Sequence, residues 1–129
     1  MPFTVENVEH SVVKFVFTDP MSSKEIDQVL GILSRLLDSK KCFSFYIDSR
    51  KASNPPLNGT MDLIKWLKDN KSRMKQTLMS SAVIINSSIA SNFLKNVFTI
   101  QPMDSPNLMT SDYEEGRKFV IGINKSKGL

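Results

Sequence analysis

Two apolar runs end in polar residues whose types suit chemistry. Residues 43–51, "FSFYIDSRK", stop at Asp48, Ser49 and Arg50, and residues 82–88, "AVIINSS", stop at Asn86, Ser87 and Ser88. A carboxylate beside a hydroxyl suits proton transfer, and a serine at a helix start beside free amides suits anion capture or recognition. The same residues also serve as ordinary caps. Asp48 then closes a loop and Ser87 or Ser88 caps a helix, each for about 1 kcal/mol.

The capping reading is preferred because reactive companions are missing. His10 is the one histidine, and no serine sits in a nucleophile-elbow pattern. It reads as an exposed turn residue. One histidine and one cysteine, Cys42, do not make a zinc site, and Cys42 reads as a buried small hydrophobe. The five glycines, at 31, 59, 116, 122 and 128, are too scattered to cradle a phosphate. No catalytic residue, metal or cofactor is expected.

Charge offers a second candidate. The net charge of +4 is modest, yet Lys65, Lys68, Lys71, Arg73 and Lys75 punctuate one helical stretch. Lys65, Lys68 and Lys71 would make a stripe for an anionic partner; a solvated helix face is the plainer reading and the one expected. No aromatic platform or nucleic-acid motif accompanies it, so nucleic acid is not an expected partner.

These residues are positioned by alternating elements. In "VVKFVFT", 12–18, Val13, Phe15 and Phe17 share one face while Val12, Lys14 and Val16 share the other, and "FTVENV" before it pairs as a hairpin. Ser22 and Glu25 form a capping box, after which Ile26, Val29, Leu30, Leu33, Leu36 and Leu37 recur at helical steps. Residues 42–48 are apolar on both faces, with Phe43, Phe45 and Ile47 on one and Cys42, Ser44 and Tyr46 on the other, which predicts a central strand. "SNPPLNGT" breaks it. A helix over 59–73 carries Leu63, Ile64, Trp66 and Leu67; a strand over 77–86 and a helix with Ile89, Phe93, Leu94 and Val97 follow. A short strand, 107–110, then leads through a capping box of Ser111 and Glu114 to a last helix with Tyr113, Phe119, Val120 and Ile123. Such alternation predicts an α/β protein with a mixed, mostly parallel sheet of about five strands, opened by a β-hairpin and packed against about four helices.

At 129 residues, 40% hydrophobic and 23% charged, the chain suits a single globular domain over 1–129. The longest apolar runs are far below the ~20 residues of a membrane span, and the acidic N-terminal stretch is unlike a signal peptide. A cytoplasmic protein without integral membrane association is expected. Asn-x-Ser/Thr matches such as those at Asn58, Asn86 and Asn124 are then chance.

The succession resembles the STAS domain, the fold of bacterial anti-sigma-factor antagonists, and in particular its SpoIIAA-like relatives. "FSFYIDSR" stands where that family has an apolar strand ending in Asp, "SSAVIIN" is the next strand, and "NLMTSDYEEGRKFV" is similar to its closing strand and helix. The resemblance covers nearly the whole chain and implies a regulatory interaction domain. Regulatory members carry an Asp-Ser-Ser-Gly type motif at the turn opening the helix after the central strand, where a serine is phosphorylated. Here that turn reads "NPPLNGT", and only Ser53 before it or Thr60 at its end could accept phosphate. Constitutive binding without that switch is expected.

The resulting expectation is a non-catalytic module, regulator or assembly subunit, that binds another protein or a second copy of itself. Its binding edge would comprise Asp48, Ser49, Arg50, Ser53, Thr60, Asn86, Ser87 and Ser88. The alternative is a carrier or sensor holding a lipid or other small apolar ligand between sheet and helices, which the Phe- and Met-rich composition permits.

Overall fold

The computed structural model describes residues 3–18, 23–51, 60–86 and 88–129. In chain order the elements are β1 (Phe3–Val8), β2 (Val12–Phe17), α1 (Ser23–Asp38), β3 (Phe43–Asp48), α2 (Thr60–Asp69), α3 (Lys71–Thr77), β4 (Leu78–Ile84), α4 (Ser88–Ile100), β5 (Asn107–Thr110) and α5 (Tyr113–Ser126). The strands lie in the order β1-β2-β3-β4-β5 in one sheet. β1 and β2 form the antiparallel hairpin, Phe3 opposite Phe17 and Val8 opposite Val12. Every later pairing is parallel, and β3 is the middle strand. The α/β architecture is the expected one.

The two sheet faces follow the alternation of the strands. On one face Phe3, Val13, Phe15 and Phe43 meet Val29, Leu30, Leu33 and Leu37 of α1, with Leu63 and Trp66 of α2 against them. Phe3 and Phe17 pack edge to face at 5.9 Å, as do Phe15 and Phe45 at 6.1 Å. On the other face Val12, Tyr46, Ala82 and Ile84 meet Val120 and Ile121 of α5. Phe45 and Ile47 are half-buried, whereas Phe15 is fully buried.

Gly116 brings α5 down on β4. A Cβ built there would stand 3.0 Å from both Cδ1 and Cγ1 of Ile84, a distance real Cβ atoms seldom tolerate. The glycine is therefore a spacer that lets the helix backbone touch the strand.

Several local expectations are corrected. The helix expected over 59–73 is two helices, because Asn70 turns inward: its Nδ2 donates to the Trp66 carbonyl at 2.9 Å and its Oδ1 accepts from Arg73 Nε at 3.1 Å, while Met74 N donates to the Asn70 carbonyl at 2.9 Å. Helix then runs on to Thr77, which delays β4 to Leu78. The cap of α5 is Asp112, whose Oδ1 accepts from Glu115 N at 3.2 Å, one residue after the expected Ser111. Cys42 is exposed just before β3, not buried. His10 is half-buried, not an exposed turn residue, with Nδ1 2.8 Å from the Leu129 carbonyl oxygen. Ser22 of the first capping box lies outside the described residues. Among the described residues, no helix is long and apolar enough to cross a membrane.

Candidate functional site

Parallel strands end on a common edge, and here β3 and β4 are tied together at theirs. Ser49 donates twice to the Ile84 carbonyl, from its amide at 2.9 Å and its hydroxyl at 2.7 Å. One step on, Asn86 Nδ2 donates to the Arg50 carbonyl. Ile85 N donates to the Thr110 carbonyl at 2.9 Å and carries the connection to β5. Asp48, Ser49, Arg50 and Asn86 therefore stand together.

Asp48 is the buried group of this edge. Its Oδ1 accepts from the Arg50 amide at 3.2 Å, the loop-closing bond expected of it, and from Nε at 2.9 Å; its Oδ2 accepts from Nη2 at 2.9 Å. Burial disfavours the charge, but the side-chain and backbone hydrogen bonds from Arg50 outweigh it and hold the carboxyl below the usual carboxylate range. The serine hydroxyl is spent on a carbonyl and the carboxylate on a guanidinium. No nucleophile and base meet here.

Beyond Arg50 lies a tyrosine pair between cations. The guanidinium carbon of Arg50 is 4.8 Å from the centre of the Tyr113 ring, and Lys14 Nζ is 5.2 Å from it. The hydroxyls of Tyr46 and Tyr113 are 3.2 Å apart. Burial, reinforced by the neighbouring Tyr113 hydroxyl, pushes the Tyr46 hydroxyl far above the usual phenol range, so Tyr46 stays neutral. The Tyr113 hydroxyl holds the Lys14 ammonium above its ordinary value against the opposing effect of burial, with Glu6, 3.6 Å away, adding to it. Arg117 pairs with Glu114 at 3.2 Å and reaches Glu9 at 4.0 Å. Each cation of the cluster has its own carboxylate.

Farther down the same face is a buried polar network. Ser44 Oγ is 2.7 Å from Ser80 Oγ and 2.7 Å from Asn124 Oδ1, and Asn124 Nδ2 donates to the carbonyls of His10 at 2.8 Å and Ser11 at 3.3 Å. It fastens the end of α5 to the β1–β2 turn, where His10 and Ser11 both have positive φ. Asn124 is fully buried, so its glycosylation-like context is inert in the fold.

Of the remaining candidates, Ser53 and Ser87 lie outside the described residues; Thr60 and Ser88 open α2 and α4, with their side chains outside the description. Lys65, Lys68 and Lys71 are exposed on α2 and the start of α3, away from the strand ends. Arg73 leaves that stripe to bond Asp38 and Asn70. Lys14, Tyr46 and Tyr113 were not among the candidates. A signal existed, because the parallel register sets Lys14 directly beside Tyr46, but it needs the pairing of two separate strands. Among the described residues no three His, Cys, Asp or Glu side chains are grouped to hold a metal ion.

No protein-family model matches the sequence, and no curated protein matches it. A solved structure does match: an uncharacterized protein of the DUF3478 family from Shewanella loihica PV-4, with a SpoIIAA-like fold. It superimposes with a TM-score of 0.64 over 92% of this chain and 91% of its own, at 12% identity. The fold of this chain is thus SpoIIAA-like, of the STAS type.

Proposed function

We propose that the protein is a non-catalytic interaction module that binds another protein through the edge where β3 and β4 end, as a cytoplasmic regulator or assembly subunit. A SpoIIAA-like fold suggests a module of this type. The observation that carries the reading is the state of that edge. Asp48 is held by Arg50, the Arg50 carbonyl by Asn86 and Ser49 by the Ile84 carbonyl, which suits recognition and leaves no group of that edge primed for acid–base or nucleophilic work. The carrier alternative drew on the Phe- and Met-rich composition, but Phe3 packs on Phe17 and Phe15 on Phe45 within the core, which gives it no support.

Affinity capture of the tagged chain from its native source, quantified by mass spectrometry, tests the proposal. A partner retained by the wild type should be lost with Arg50→Ala combined with Asn86→Ala. It should stay with Lys65, Lys68 and Lys71 all reversed to Glu, because those exposed lysines are read as a solvated face rather than a nucleic-acid or lipid contact. Loss through the lysines and indifference to Arg50 and Asn86 would move the interface to α2.

A further inference from the structure

We draw no further inference here: the strongest candidate, the groove between β1 and α1 lined by Phe3, Val5 and Ile32, is an unpartnered apolar face, and nothing in the structure shows what covers it.

Discussion

Arg50 grips Asp48 with two parallel hydrogen bonds, Nε to Oδ1 and Nη2 to Oδ2, both 2.9 Å, while its guanidinium lies over the ring of Tyr113. Two elements meet in that one side chain: the end of the central strand and the first residue of α5. The pairing gives Asp48 a carboxyl held below its ordinary range. A carboxyl with a depressed folded pKa stabilises above its unfolded value, about 3.9, and that contribution is lost as the pH falls through the folded value. Asp48→Asn removes it. The stability gap between wild type and Asp48→Asn should therefore be full at pH 5 to 6 and shrink steadily toward pH 2, measured by urea unfolding across that range. A gap constant with pH would mean that the amide fails for steric reasons and not through charge.

Asn124 of α5 joins β3 to the β1–β2 turn. Its amide, itself fully buried, accepts from Ser44 and donates to the β1–β2 turn. Asn124→Ala strands those carbonyls and opens a small void, so it should cost about 2–4 kcal/mol in chemical denaturation. Ser44→Ala removes one hydroxyl and should cost about 1 kcal/mol. Similar losses for the two variants would show that the turn contacts of Asn124 contribute little.

The fold was largely readable because its periodicities are clean. Val13, Phe15 and Phe17 alternate, the α1 leucines recur every three or four residues, and the structure buries the faces so marked. The chain signals that failed are those decided by a partner distant in sequence. In β3 and β4 the register slips between Phe43 and Ser44: Phe43 faces Leu78 but Ser44 faces Ser80, which skips Met79 and sets the Ser80 hydroxyl against that of Ser44. A slip of one residue exchanges the faces of a strand, and nothing in "TLMSSAVIIN" alone announces it. Asn70 reads as an ordinary helix residue until Trp66 and Arg73 are seen to hold its side chain. At the candidate site, Asp48, Ser49, Arg50 and Asn86 were visible as strand ends. Tyr113 was visible only as a core residue of the last helix, because its cations come from Lys14 and Arg50, more than sixty positions away.

Phe15 and Phe45 pack edge to face across neighbouring strands, yet they are not equal. Phe15 is fully buried and Phe45 half-buried. Phe15→Ala should cost about 3–5 kcal/mol, enough to threaten the fold, whereas Phe45→Ala should cost about 2–3 kcal/mol. Equilibrium urea denaturation of both variants decides the order; a larger loss at Phe45 would place that side chain deeper than the structure does.

Two glycines of α5 should respond to alanine in opposite directions. At Gly122 a Cβ would meet nothing within 4 Å, so Gly122→Ala should stabilise by about 0.5–1 kcal/mol through helix propensity alone. At Gly116 the same gain is set against contact with Cδ1 and Cγ1 of Ile84, itself fully buried, and forcing a methyl into a packed layer costs about 1–3 kcal/mol. Gly116→Ala should come out about 1 kcal/mol less stable than wild type. Ile84→Val removes Cδ1, one of the two crowded carbons, and so makes part of the room. In the wild type that change should cost about 1 kcal/mol, but beside Gly116→Ala it should cost little or nothing, a coupling read directly from a double-mutant cycle in thermal or urea unfolding. Additive losses would mean that α5 rides higher on β4 than a 3.0 Å approach allows.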